Sequence, residues 1–462
     1  MSRFLDKTIL VGFLSLLVFT ALAHGAVEFW SVALCSTWVV VLLLLWVLKG
    51  VSEKAWTIQV PTPAWPLAAV IVWGLMQNVA NLSLDSEATR RAVLWLALLW
   101  IAFVVAANVF TGRERWQTLC TFFSFFGLAL AFFALIQQAT WNGRFYWLRA
   151  PSGAEVSMPF GPFVHHGHYA GYVDLLLPLP IALLILRSQR LDKKLLYGFA
   201  AALMGLSVIV SLARGGMLGL GAQLLFLAIM SGWMARRRRE DWVESTPRSM
   251  RKRVGAVVAI GAVILLGVFW IGIEPVLDRI AQGPLNGAAQ SELFFNNRGW
   301  IWRDTWVMFR AHPLTGVGLG AFATAFPIYS QSDGSVTVSA AHNDYLQILA
   351  ESGLIGGALA IWFIVAVFQA LSRSLRSHDP DAQALALGTG AGIVGMLVHS
   401  FFDFNLQLPS HALLFLTMVA VITRLGAKAV VHNAAAIAWE AHQPDYAEYV
   451  VTSERLTEKG TS

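Results

Sequence analysis

Residues 341–357 read AHNDYLQILAESGLIGG. A polar head, His342-Asn343-Asp344, runs straight into an apolar segment that continues to about Leu371. That length is enough to cross a bilayer, which takes roughly 17 to 25 residues as a helix. Working outward, runs of the same kind recur along the whole chain, at 8–23, 29–48, 65–80, 92–109, 118–137, 169–186, 195–211, 217–233, 254–273, 344–371, 383–402 and 411–423. The composition agrees: 57% of the 462 residues are hydrophobic and 13% are charged, where a soluble domain carries roughly 25% charged residues. The fold expected is an all-α membrane protein of about twelve transmembrane helices, with 19 Trp and 29 Phe to furnish interfacial belts.

The basic residues orient the bundle. With the N-terminus in the cytoplasm, 24 of the 33 Lys and Arg fall in inside segments and nine in outside ones. This bias predicts both termini inside. The net charge of +6 is accounted for by cytoplasmic loops, so nucleic acid is not an expected partner. All nine outside cations are Arg: 90, 91, 144, 149, 214, 279, 298, 303 and 310. Guanidinium offers forked donors suited to phosphate and keeps its charge near a low-dielectric boundary. Ala21-Leu22-Ala23 imitates a signal peptidase site, but an uncleaved first helix is expected. Cys35 and Cys120 both fall in apolar runs and indicate neither a disulfide framework nor a metal site.

The expected organisation is six segments: N-terminal helices (1–137), an outer loop (138–168), central helices (169–273), a long outer loop (274–343), C-terminal helices (344–423) and a cytoplasmic tail (424–462). Loops of this length are usually functional, and their Trp and Gly content predicts short helices lying on the membrane surface.

The candidate chemistry gathers at the outer ends of the spans. His342 begins the tenth, and an imidazole there suits proton transfer near neutrality; an interfacial His bonding a loop carbonyl is the plainer alternative. Asn343 and Asp344 have N-cap character, and Asp344 is expected to orient the imidazole. Glu351 lies about 13 Å deeper on the opposite helical face and is expected to pack against polar groups instead. Arg214, in SLARGGMLGL, sits in a connection so short that it must lie at the membrane edge, where it needs an anion or serves as a headgroup anchor. In NNRGWIWRDTW, a helix puts Arg298, Trp302 and Trp306 on one face and turns Arg303 away. Gly316-Val317-Gly318-Leu319-Gly320 lacks a strand-to-helix context and reads as a tight turn after Pro313. His165, His166 and His168 read as a polar rim, with no carboxylate at a metal-ligand spacing nearby. His399, Asp403 and Asn405 read as helix termination before Pro409. Metal-dependent nucleotide-sugar chemistry and ATP-driven transport are not expected, and no cofactor is called for. A transporter or flippase for a lipid-linked or anionic solute is the competing reading. Such a protein normally carries midplane charges, for which Asp174 is the nearest candidate.

Taken together and in order, SLARGG, NNRGWIWRDTW…HPLTGVGLGAF, AHNDYLQILAESGLIGG and HSFFDFNLQLPSHA resemble the O-antigen ligase and O-antigen polymerase superfamily of bacterial envelopes. The resemblance is strongest over about 200–410. It implies a multi-spanning glycosyltransferase of the GT-C type in the bacterial inner membrane, acting at the periplasmic face in surface polysaccharide or lipopolysaccharide biosynthesis. The donor it implies is a glycan on undecaprenyl pyrophosphate, and the acceptor is lipid A–core or another carrier-linked glycan. By the same resemblance, Arg214 and Arg298 match pyrophosphate-binding arginines, with Arg303 and Arg310 as nearby alternatives to Arg298. His342 matches a general base. Asn343, Asp344, Trp302, Arg303 and His168 are supporting candidates from the residues themselves, the His165–His168 run matching no family pattern, and no metal ligand is expected.

Overall fold

The computed structural model describes residues 2–53, 57–150, 159–187, 190–240, 255, 292–332, 337–377 and 379–441. Among these there is helix and no strand. The first five helices are α1 (Ser2–Leu22), α2 (Phe29–Glu53), α3 (Ala64–Val79), α4 (Ser86–Val109) and α5 (Arg113–Ala139). The central group is α6 (His166–Leu176), α7 (Pro178–Leu186), α8 (Leu191–Val210) and α9 (Arg214–Glu240). Two outer-loop helices follow, α10 (Glu292–Ala311) and α11 (Phe322–Tyr329). The chain then forms α12 (Asp344–Ser374), α13 (Pro380–His399), a 3-10 turn (Asn405–Gln407) and α14 (Pro409–Ala441).

Ten helical stretches among the described residues are long and apolar enough to cross a membrane. α3, the third expected span, is shorter, and the expected span 254–273 lies outside the described residues apart from Gly255. α6 and α7 together make one span, interrupted where Pro178 and Pro180 withhold backbone donors. This broken span is the most buried of the ten, followed by α13 and α14, whereas α2 and α12 face outward over most of their surface. Lipid tails give no hydrophobic drive between helices, so their association relies on close packing of small residues. α13 shows this: a Cβ at Gly392 would meet the Leu175 carbonyl at 2.6 Å, and one at Gly388 the Leu179 Cα at 2.7 Å.

α12 is not one rod, as the single run 344–371 predicts, but two. Gly353 (φ 64°, ψ −163°) breaks it. A broken helix at membrane depth leaves backbone groups that neighbouring protein must satisfy. Here the glycine-rich loop after Pro313 does so. Val317 N–H donates to the Ala350 carbonyl (3.0 Å), Gly318 N–H to that of Glu351 (3.0 Å), and Leu354 N–H to that of Pro313 (2.8 Å). From α3, Gln77 Nε2 donates to the Glu351 carbonyl (2.9 Å) and Trp73 Nε1 to that of Ser352 (3.2 Å). The expected tight turn is present, and it docks into the break.

The two ends of the bundle differ in chemistry. At one, Asp381 near the start of α13 is buried and receives Arg187 Nε (2.9 Å), Arg113 Nε (3.1 Å) and Gln117 Nε2 (2.7 Å). Asp6 pairs with Lys49 and Arg115. Asp379-Pro380-Asp381 is an Asp-x-Asp spacing, a pattern that often holds metal in nucleotide-sugar enzymes. In this chain Asp379 caps α13 through the Asp381 and Ala382 N–H groups and Asp381 is taken by the arginines. The opposite end of α13 carries His399 and leads into Asp403.

Candidate functional site

Four helix ends meet beside His399: the N-termini of α6, α9 and α12 and the C-terminus of α13. α9 is preceded by the turn Ser211-Leu212-Ala213, with Leu212 at φ 56°. A Cβ on Gly215 would lie 2.6 Å from His399 Cδ2, so glycine is what lets the first turn of α9 close on that ring. A pocket of about 80 Å³ results, walled by Arg214 and Gly215 of α9, Arg298 and Trp302 of α10, His165 at the cap of α6, and Asp403.

Its character is anion-accepting. A helix N-terminus presents unsatisfied N–H groups and the positive end of its dipole, and α9 begins here with Arg214 itself. Arg298 reaches in from α10 and donates Nη1 to the Phe402 carbonyl. Trp302, one turn on, lines the same wall and donates Nε1 to the Ala341 carbonyl (3.0 Å). Trp306, on the same face of α10, is largely exposed and outside the pocket. Arg303 turns away and pairs with its neighbour Asp304 at 2.8 Å, and Arg310 is exposed at the far end of the helix. The structure therefore brings Arg298, and neither alternative, to Arg214.

His342 stands just outside this wall, one carboxylate away. Its Nδ1 is 3.8 Å from Asp403 Oδ1, its ring packs edge-on against Phe404 with centroids 5.0 Å apart, and its side chain is 32% exposed. Its backbone is left-handed, at φ 49°. Asn343 is the N-cap, accepting from Leu346 N–H at 3.0 Å.

Asp344 does not orient the imidazole as the sequence reading expects. Its buried carboxylate accepts from Gln407 Nε2 (3.1 Å) and lies 3.5 Å from the Leu406 nitrogen. Only Asn343 separates it from His342 in sequence, but helix initiation between them turns the two side chains apart. The carboxylate that faces His342 is Asp403; His399 does end α13, as the helix-termination reading expects, and Asp403 beyond it stands beside the imidazole.

Asp403 is 3% exposed. Burial by itself raises a carboxyl, yet the His342 imidazole facing it and the charges of His168, His165 and Arg298 hold Asp403 well below the usual carboxylate range. His165 is pushed down by burial, against the pull of Asp403. His165, His168 and Asp403 place ligand atoms within 4.8 Å of one another. The carboxylate that the sequence neighbourhood of the histidines lacks is thus supplied from the far side of α13. Two imidazoles and a carboxylate are a donor set a divalent ion can use, and the positive charge of Arg298 also acts on Asp403.

A second cavity, of about 390 Å³, opens on the other side of the α12 N-terminus. α3, α4, α12 and α14 line it with Val70, Trp95, Leu99 and Phe363, and its polar end is formed by Asp344 and Gln347.

Comparison with known proteins bears on this arrangement. Residues 199–361 match the family described as O-Antigen ligase. Over that segment the chain is similar to the O-antigen ligase domain. The match runs from α8 through the pocket arginines and His342 to the broken helix α12, and supports a relation to the O-antigen ligase/polymerase superfamily. No curated protein matches the chain significantly. Arg214, Arg298 and His342 lie within the matched residues, while Asp403, His399 and the α6 histidines lie outside them. The domain match supports a membrane glycosyltransferase of ligase or polymerase type acting on lipid-linked glycan.

Proposed function

We propose that the protein transfers a glycan from undecaprenyl pyrophosphate to an acceptor hydroxyl at the periplasmic face of the bacterial inner membrane. The acceptor is lipid A–core or a second carrier-linked glycan, and both termini of the chain are cytoplasmic. The observation that carries this reading is the convergence of Arg214, Arg298 and the N-terminus of α9 on one small pocket, with His342 paired to Asp403 at its wall.

The chemistry follows from that placement. The diphosphate is held by the two guanidinium groups and the helix N-terminus. His342, with Nδ1 turned to Asp403, takes the acceptor hydroxyl proton on Nε2. The acceptor oxygen bonds to the anomeric carbon as the bond from that carbon to the phosphate oxygen breaks, on the opposite face, so configuration inverts. The departing negative charge grows where the arginines already point, which is preorganised electrostatic stabilisation. The imidazolium formed is stabilised by ionised Asp403. The sugar is already activated as a pyrophosphate ester, so this route calls on no metal or nucleotide. The large apolar cavity between α3, α4, α12 and α14 gives an isoprenoid or acyl chain a place beside the reaction centre.

The test is in vitro transfer with purified protein, carrier-linked glycan and each acceptor in turn. New glycosidic product that disappears with His342→Ala supports the reading. Movement of the lipid-linked substrate across liposomes without bond formation overturns it in favour of a flippase.

A further inference from the structure

His342 occupies a backbone conformation that a residue with a side chain rarely holds unless its surroundings impose it. The surroundings that do so are specific. Ala341, immediately before it, is clamped on both sides: its N–H donates to Gln347 Oε1 (2.9 Å) and its carbonyl accepts from Trp302 Nε1 (3.0 Å). On the other side of His342, Asp344 N–H donates to the Ser400 carbonyl (2.9 Å), tying the start of α12 to the end of α13 that leads to Asp403.

We propose that Gln347 is a positioning residue for His342, with Glu351 as its anchor. The claim rests on the reading of His342 as the base. The Gln347 amide is 5% exposed and has only one workable orientation. Its Nε2 faces two acceptors, Glu351 Oε1 and Gln407 Oε1, both at 3.0 Å. Its Oε1 is thereby turned to the Ala341 N–H, since a flipped amide would set oxygen against both acceptors and nitrogen against a donor. Glu351 is itself fixed through Oε2, which accepts from Gly320 N–H at 2.8 Å. Gln407 is fixed by Nε2, which donates to Asp344. The loop that fills the α12 break, the first turns of α12 and the 3-10 turn after Asp403 therefore share one buried network. Its outlet is the peptide that sets the direction of the His342 ring. Neither Gln347 nor Glu351 lines the arginine pocket.

A residue acting in this way should alter turnover and leave donor affinity alone. In transfer assays with undecaprenyl-pyrophosphate-linked glycan and whichever acceptor the unchanged protein uses, Gln347→Ala is expected to lower kcat about 10- to 100-fold. Gln347 borders the larger cavity only at its polar end and its loss leaves the apolar lining in place, so donor KM should stay within about threefold, with rates normalised to monodisperse protein in detergent. Gln347→Met, which keeps the side-chain length and removes the amide, should give the same split and decides the matter if Gln347→Ala does not fold. Gln347→Glu alone sets two carboxyl groups against each other and should be as impaired. Adding Glu351→Gln restores a donor facing one of the two acceptors, while Gln407 Oε1 still meets a carboxylate, and should recover part of the lost kcat, at least about threefold over Gln347→Glu alone. An unchanged kcat in Gln347→Ala, a loss expressed mainly as raised donor KM, or no recovery in the paired variant overturns the proposal. Full transfer by His342→Ala would instead remove the reading on which it depends, so the two failures are separable.

Discussion

Asp403 Oδ1 lies 3.8 Å from His342 Nδ1, and these residues come from opposite sides of a helical hairpin, the start of α12 and the connection after α13. A carboxylate held ionised beside an imidazole fixes which ring nitrogen remains to take a proton and stabilises the cation that results. Asp403→Asn keeps the shape and removes the charge. It is expected to lower kcat on the order of 10²- to 10³-fold, with donor KM little changed, as read from initial rates of transfer.

Arg214 and Arg298 should behave differently from Arg303. Arg214→Ala and Arg298→Ala are each expected to cost on the order of 10²-fold or more in kcat/KM, because each removes a donor aimed at the leaving group. Arg214→Lys should remain impaired, since a point-charge ammonium replaces a forked guanidinium. Arg303→Ala, whose partner is the adjacent Asp304, is expected to stay within about threefold. Equal losses at all three positions would contradict the assignment of Arg298.

Acid should loosen the site before it affects the membrane core. His165 is held below its ordinary value by burial. Its neutral ring is therefore favoured in the fold, and the unfolded chain takes up the proton first as pH falls below about 6.5. The stability present above that pH is lost as pH drops toward the folded value of His165. Asp403 is also depressed, so its contribution is present above the ordinary carboxylate value, about 3.9, and is lost only in stronger acid. Thermal unfolding in detergent should show Tm falling from pH 7.5 to 5. The slope should be shallower in His165→Gln, which cannot titrate.

The ion cluster at the other end of α13 predicts stability without catalysis. Asp381→Ala leaves Arg187 and Arg113 without their shared buried carboxylate. A loss on the order of 2 kcal/mol is expected, reduced from the cost of a fully buried pair because Arg113 is mostly exposed. It should appear as a lower Tm with kcat per folded molecule unchanged.

What the sequence made legible was local or periodic. Run length alone located ten of the twelve expected spans among the described residues, the bias of Lys and Arg gave an expected orientation, Arg214 stood out as an edge cation where one is costly, and Arg298 and His342 gained their roles from the resemblance. The break at Gly353 was hidden inside an unbroken apolar run, because the partners that make it tolerable, Val317, Gly318, Gln77 and Trp73, lie elsewhere in the chain. Asp344 was favoured over Asp403 for the same reason: adjacency is visible in a string of residues, whereas the direction of a side chain depends on the turn between them. The signal for Asp403 was there in weaker form, as His399 and Asp403 spaced one helical turn apart at a span end.

The break at Gly353 has a mechanical consequence. His342 rides on the short stub before it, wedged by the 313–318 loop and by α3, and not on the outward-facing rod that continues to Ser374. Mutations that shorten or lengthen that rod beyond Ile355 are therefore expected to change the protein's fit to bilayer thickness while leaving the backbone around His342 in place, as read by transfer rates in bilayers of different acyl length.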